Sequence, residues 1–233
     1  MTGLWNLIKR NCKLFFKDKG MFFSSLITPV ILLVLYATFL ASVYRDSFAS
    51  AMPEGFSIDA SLIDATVAAQ LISSLLAVSC VTVAFCSNLL IVQDKITGAR
   101  RDITVSPVKR STLAVSYFCA SAATTLIISF AALAVCLVYL ANAGWYMSCA
   151  DVLCFALDVV LVTLFGVALS SCVNFPLTTQ GQMSAVGTIV SAGYGLLCGA
   201  YMPISNFSEG LQKVMSFLPG TYGTSLIRNH ALA

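Results

Sequence analysis

Charged side chains are scarce in this sequence. They make up 10% of the 233 residues, whereas hydrophobic residues make up 58%. Soluble domains usually carry about 25% charged residues. A water-soluble fold of this length could not bury so much apolar surface, so the composition indicates a protein whose solvent is lipid. The basic residues sit beside apolar runs and form no separate basic domain, which argues against a nucleic-acid partner.

Motifs that carry chemistry are also missing. The sequence has no G-x-x-x-x-G-K-[ST] phosphate loop, so we expect this chain to bind no ATP. It has no CxxC pair and a single histidine, His230, so neither a metal nor another cofactor is expected. Most of the nine cysteines fall within apolar runs and are interpreted as small apolar filler. Because no nucleophile–base or paired-carboxylate cluster stands in the polar segments, we do not expect an enzyme.

Five apolar stretches are long enough to cross a bilayer, which takes about 20 helical residues. The runs are continuous rather than alternating, which favours helices over barrel strands. Interleaved Ser, Thr, Gly and Ala suit helices that pack against each other in lipid. The predicted fold class is therefore an all-α, polytopic membrane helix bundle. The stretches lie near Met21–Val43, Ala65–Val92, Leu113–Leu140, Val152–Val173 and Met183–Met202.

Lysine and arginine are distributed unevenly around these stretches, which predicts the orientation of the chain. With the N-terminus inside, ten basic residues fall in inner segments and three in outer segments, a clear positive-inside pattern. Five spans then place residues 203–233 outside. The inner residues are Lys9, Arg10, Lys13, Lys17, Lys19, Lys95, Arg100, Arg101, Lys109 and Arg110. The outer residues are Arg45, Lys213 and Arg228.

The N-terminal segment, residues 1–19, is both basic and amphipathic. Apolar side chains alternate at helical spacing with lysine and arginine over Trp5–Phe16, which predicts a helix lying in the inner membrane interface. Two roles remain open at this point. The helix is either a simple anchor that fixes topology or a lever that also touches a partner.

The connection between the second and third stretches, residues 93–112, is the most informative polar segment. Gly98 permits a break in the chain, after which Ala99–Val105 is predicted to form a short helix that stops before Pro107. A short charged helix on the inner face could dock a soluble partner. An ordinary solvated loop that fixes topology is the alternative interpretation.

Asp158 is the one acid placed well inside a predicted span, and Asp151 precedes it on the same helical face. Acids within the membrane are energetically costly and often face a cavity or a partner. Asp158 is therefore either a structural polar contact or a candidate residue of a translocation path.

The polar connection resembles the first cytoplasmic loop of ABC-2 type permeases, the membrane subunits of ABC exporters. The chain departs from that family's loop pattern at Ala99, where threonine is usual, and at Arg101, where a second acid is usual. Matching loop positions are Asp94, Gly98, Ser106, Pro107, Val108 and Arg110. Further matching segments are Pro29 in the first span, Gly199–Ile204 at the end of the fifth, and Leu211–Tyr222 in an outer hairpin.

The resemblance implies a transmembrane permease subunit that moves an amphipathic or drug-like substrate across the plasma membrane. ATP would be hydrolysed by a separate ABC ATPase subunit, and a second permease copy or a sister subunit would complete the path. The alternatives are a secondary transporter and a non-transporting membrane scaffold. The residues expected to dock the ATPase are Asp94, Gly98, Arg100, Arg101, Asp102, Pro107 and Arg110.

The resemblance also implies a domain organisation. Residues 20–202 would form the transmembrane bundle, with the coupling loop at 93–112, and residues 203–233 would form an outer re-entrant segment. The family spans the membrane six times, whereas five spans are found here. We therefore expect the chain to lack the sixth helix.

Overall fold

The computed structural model describes residues 2–36, 38, 42, 60–106, 108–143, 147–200 and 207–231. Within these ranges the regular structure is helical and contains no strand, which confirms the predicted all-α class. The helices are α1 Thr2–Lys17, α2 Lys19–Leu35, α3 Ala60–Asn88, α4 Leu90–Ile96, α5 Ala99–Val105, α6 Arg110–Ala143, α7 Cys149–Asn174, α8 Gln180–Leu197, α9 Glu209–Ser216 and α10 Pro219–Ala231.

Helices α1 and α2 meet at a bend of 72° around Asp18. The Asp18 carboxylate accepts a hydrogen bond from the Met21 backbone N–H at 3.2 Å, and so satisfies one of the free donors at the start of α2. Along α1, Phe15 is buried whereas Trp5 is 66% exposed. The helix is therefore amphipathic, as its sequence pattern predicts.

Among the described residues, three helical segments are long and apolar enough to cross a membrane: Asp64–Ile96, Arg110–Asn142 and Cys149–Asn174. The bent pair α1 and α2 counts as a fourth if it is one broken span. The fifth predicted stretch begins within α8 (Gln180–Leu197), which is not among these three segments. The helix starts with the polar residues Gln180 and Gln182 and contains interspersed glycines, which lower its hydropathy. The end of that stretch, residues 201–202, lies outside the described residues, and the count of five spans stays a prediction.

The segment Asp64–Ile96 is the most enclosed of the three. Its most apolar part is 89% buried, against 39% for each of the other two. One reason is a very close approach to α7 at Gly166. A Cβ atom added to Gly166 would lie 3.1 Å from the Cα of Val81 and 3.3 Å from the Cβ of Ala84. Glycine therefore lets the two helix backbones touch, as small residues do in membrane bundles.

The chain divides into two compact units. The first comprises Met1–Thr28, Ser79–Ser129 and Val160–Tyr194. One apolar cluster in this unit groups Phe15, Val83 and Ile128, and a second groups Leu90, Ile91, Leu113 and Tyr117. Leu7 and Leu14 of α1 pack against the second cluster. The N-terminal helix therefore lies against α4 and the start of α6, and this arrangement positions the site described below.

The second unit comprises Pro29–Val78, Phe130–Val159 and Gly195–Ala233. The described part of the predicted re-entrant segment forms α9 and α10 within it. The Thr221 hydroxyl donates to the Met215 carbonyl at 2.7 Å, which joins the two short helices. The Arg228 guanidinium donates to the Gly199 carbonyl at 3.1 Å. The family-like motif at residues 201–204 lies outside the described residues.

Candidate partner-docking site

A buried carboxylate joins the N-terminal helix to both helices that flank the loop. The Arg10 guanidinium donates to Asp94 through two nitrogens, at 2.8 and 3.3 Å, and the Tyr117 hydroxyl donates to the same carboxylate at 2.5 Å. Asp94 is 4% exposed and Tyr117 is 5% exposed. Two-pronged arginine–carboxylate pairs fix orientation as well as distance. This cluster therefore holds α1, α4 and α6 in one relative position.

A second polar contact supports the same junction. The Gln93 side-chain amide donates to the Asp18 carboxylate at 3.2 Å, so the bend between α1 and α2 is tied to the middle of α4. Between the two contacts lies a cleft of about 450 Å³, lined by Arg10, Leu14, Lys17, Asp18, Leu90, Gln93, Asp94, Thr97 and Ala99. Its walls come from α1 on one side and from the start of the loop on the other.

The loop itself turns at Gly98. This residue has a φ of +82°, in the left-handed region that residues with a side chain rarely adopt. Helix α5 follows at Ala99–Val105, with the bounds that the sequence predicts. Arg101 and Asp102 are exposed along it, and Val105 is 84% exposed. Helix α5 therefore has an exposed face that the junction does not cover.

The base of α5 rests on the end of α7. The Lys95 ammonium group donates to the carbonyls of Phe175 and Leu177, the latter at 2.9 Å, and so supplies a cation to carbonyls just beyond the helix end. Lys95 and Arg100 also lie over the Phe175 ring, 5.2 and 5.4 Å from its centre. Both distances fall within the range of cation–π attraction. Arg100 is therefore half-buried, in contrast to its neighbour Arg101.

A buried asparagine connects three helices beneath the loop. The Asn88 side-chain amide donates to the hydroxyls of Ser170 and Ser171, at 3.0 and 2.7 Å, and its carbonyl accepts from the Ser121 hydroxyl at 3.2 Å. Buried polar groups inside a bundle are stable when they satisfy one another in this way. The contact ties α3, α6 and α7 together on the side of the bundle that carries the loop.

The predicted site residues do not all lie on one surface. Asp94 is buried in the junction, whereas Gly98, Arg100, Arg101 and Asp102 lie in or at the start of α5. Arg110 is exposed at the first residue of α6. Pro107 lies outside the described residues. From the sequence, these positions are predicted as one docking set. In the structure, Asp94 lies buried in the supporting junction, whereas the other described residues lie in or next to α5 or at the start of α6.

Asp158 belongs to the second unit and is paired there. Its carboxylate lies 2.5 Å from Nδ1 of His230 on α10, and its side chain is 3% exposed. Asp151 instead accepts the backbone N–H of Ser148 at 2.8 Å, at the start of α7. The pairing with His230 gives Asp158 a structural contact, and its role in a translocation path stays a prediction.

Sequence reasoning missed the contacts that hold the loop in place. It counted Arg10 and Lys95 as topology signals, and it did not use Tyr117, Asn88 or Gln93. One signal was available: Asp94 is an acid directly after a long apolar run, and a basic helix precedes that run in the chain. The nine cysteines are all free. The part of the chain that the structure describes contains no metal-ligand cluster.

These observations define a multi-pass helical membrane protein with a structured polar loop at one end of its bundle. The family model for the ABC-2 type transporter matches residues 2–231, nearly the whole chain. The chain therefore belongs to the ABC-2 type transporter family and is a transmembrane subunit of a transporter. Searches among curated proteins and among solved structures give no match.

Proposed function

We propose that this chain is the permease subunit of an ABC exporter and that a separate ABC ATPase docks on α5. The observation that supports this most directly is the exposed face of α5, carried on a junction held by charged and polar side chains. Because the Arg10–Asp94–Tyr117 cluster joins α4, which directly precedes α5, to α1 and to the 34-residue helix α6, force applied to α5 would reach the bundle. A loop whose only role was to fix topology would not need these stabilising contacts.

The division of the predicted residues suggests two roles in docking. Arg101 and Asp102 would contact the ATPase, since both are exposed on α5. Asp94 would act as a positioning residue, because its carboxylate is already bonded within the chain. The cleft between α1 and the loop adjoins α5 and would receive part of the same partner. This gives the N-terminal helix the role of a lever as well as that of an anchor.

We further propose the wider setting from the family and the charge pattern. The chain would lie in the plasma membrane with its N-terminus and loop in the cytoplasm, as ten inner against three outer basic residues favour. Two copies, or this chain with a sister subunit, would form the path for an amphipathic or drug-like substrate. ATP would be supplied and hydrolysed entirely by the partner.

The docking proposal is tested by charge reversal on the exposed face. Affinity-tagged Arg101→Glu and the matched control Lys213→Glu, an exposed reversal on α9, are expressed in the native cells and purified in mild detergent. Co-purifying polypeptides with a phosphate loop are identified by mass spectrometry, and ATP hydrolysis by the complex is measured.

We expect Arg101→Glu to lower both ATPase recovery and hydrolysis by about tenfold, as the loss of roughly 1.4 kcal/mol of contact would. Lys213→Glu should leave both unchanged. If both variants insert equally in the membrane and recover the same amount of ATPase, α5 serves only to fix the topology of the chain.

A further inference from the structure

A second pocket borders α5 and shares no lining residue with the cleft described above. We propose that it binds an acidic phospholipid from the leaflet on the loop side of the bundle. The pocket has a volume of about 680 Å³, within the range of about 300–1,000 Å³ that is usual for small-molecule sites. Its walls come from α5, from the start of α6 and from the end of α7. Every residue of the pocket belongs to the first unit.

Two guanidinium groups form its polar part. Arg100 and Arg110 both line the pocket, and among the described residues neither forms an ion pair with a carboxylate. Arg100 lies over the Phe175 ring, which holds its side chain at the pocket. Arg110 is the first residue of the 34-residue helix α6, whose N-terminal end adds partial positive charge. Arginine suits phosphate because its donors are arranged in a planar fork.

The rest of the pocket is apolar. Leu113, Val115 and Phe118 on the first turns of α6 line it, together with Ile91 and Phe175. Val115 is 48% exposed and Phe175 is 55% exposed. Since α6 is a membrane span, its first turns lie where lipid headgroups give way to acyl chains. An apolar wall directly below two cations matches one molecule that carries both an anion and a hydrocarbon chain.

A free inorganic anion fits this pocket less well than a lipid. It would use the two guanidinium groups but would leave the apolar wall exposed, whereas an acyl chain covers that wall. Basic residues next to membrane helices gain about 1 kcal/mol each from anionic lipid. The half-buried position of Arg100 also separates its role from that of Arg101, so α5 carries a lipid contact on one side and the proposed ATPase contact on another.

The test uses the delipidated full-length chain in detergent, with phosphatidylglycerol or phosphatidylcholine added and bound lipid counted by native mass spectrometry. We expect phosphatidylglycerol to bind at least about tenfold more tightly than phosphatidylcholine. The double variant Arg100→Gln with Arg110→Gln should lose that preference. The matched control, Arg101→Gln with Lys109→Gln, makes the same charge change at exposed neighbours and should keep it.

A charge-neutral variant provides the second arm. Ala114→Trp fills the pocket from an exposed position and should weaken phosphatidylglycerol binding about tenfold, whereas Ala134→Trp, exposed further along α6, should not. The proposal is overturned if the two double variants behave alike, or if inorganic phosphate displaces the lipid and binds equally well in its absence. Binding is measured without ATP or a partner, so this result is independent of the proposed ATPase docking.

Discussion

Arg10 and Asp94 stand 84 residues apart in the chain and form a two-pronged ion pair, with nitrogen–oxygen distances of 2.8 and 3.3 Å. The carboxylate is almost fully buried, while the guanidinium is about one-third exposed. A charge in this position is stable when its hydrogen bonds are satisfied, and Tyr117 supplies the third bond. The N-terminal helix is thereby fixed to the end of the most enclosed helical segment.

The first prediction concerns that pair. Arg10→Gln should lower the free energy of unfolding by about 2 kcal/mol, because Asp94 keeps its charge but loses two charged hydrogen bonds. Lys9→Gln removes the same charge from an exposed position on the same helix and should change stability by less than about 0.5 kcal/mol. Thermal unfolding in detergent compares the two, and equal losses would show that net charge, rather than the pair, determines stability.

The second prediction concerns Gly98. A Cβ atom at this position would meet nothing within 4 Å, so Gly98→Ala should be destabilising through its φ of +82° alone. The expected cost is about 1–2 kcal/mol for an L-residue in the left-handed region. Gly187→Ala is the matched control, since its Cβ also meets open space but the residue is helical. It should be neutral or stabilising by about 0.5–1 kcal/mol.

Hydrogen exchange of α5 separates these two outcomes. Gly98→Ala should speed amide exchange in Ala99–Val105, since the turn that starts this helix is strained, whereas Gly187→Ala should leave that exchange unchanged. Unaltered exchange in the Gly98 variant would mean that the turn adopts another backbone conformation without cost.

The sequence predicts the bounds of a helix better than it predicts contacts between residues that are distant in the chain. The helix Ala99–Val105 depends on a glycine before it and a proline after it, so the sequence predicts its bounds correctly. The partner of Asp94 is not set locally, because ten basic residues share the inner segments and the chain separation of 84 residues carries no preference among them. Asp158 illustrates the same limit, since the sequence predicts a polar contact for it without naming a partner, and that contact is His230, 72 residues away.

The third prediction is an energetic coupling between Asp158 and His230. His230→Ala leaves a buried carboxylate without this contact and should destabilise the protein by about 1–3 kcal/mol. In the background of Asp158→Asn the same change should cost about 1 kcal/mol less, because no charge is stranded. A double-mutant cycle on thermal unfolding measures the difference, and strictly additive effects would contradict a direct interaction.

The fourth prediction tests orientation. Cys149 and Cys172 are the exposed native thiols, so both are first replaced by serine. In that background, a membrane-impermeant maleimide added to intact cells should label Lys213→Cys and spare Thr104→Cys, which should react after permeabilisation. The physical reason is the excess of lysine and arginine on the loop side of the chain. The reverse labelling pattern would invert the topology and place α5 out of reach of a cytoplasmic ATPase.

The close helix contact at Gly166 has a consequence for conformational change in this transporter subunit. Helices α3 and α7 approach closely there because Gly166 has no side chain, and Asn88 bonds the same two helices through Ser170 and Ser171. Pulling them apart would open a void and strand polar groups in lipid, both of which are costly. We therefore expect these segments of α3 and α7 to stay together, so that any conformational change during transport would take place along other helix boundaries.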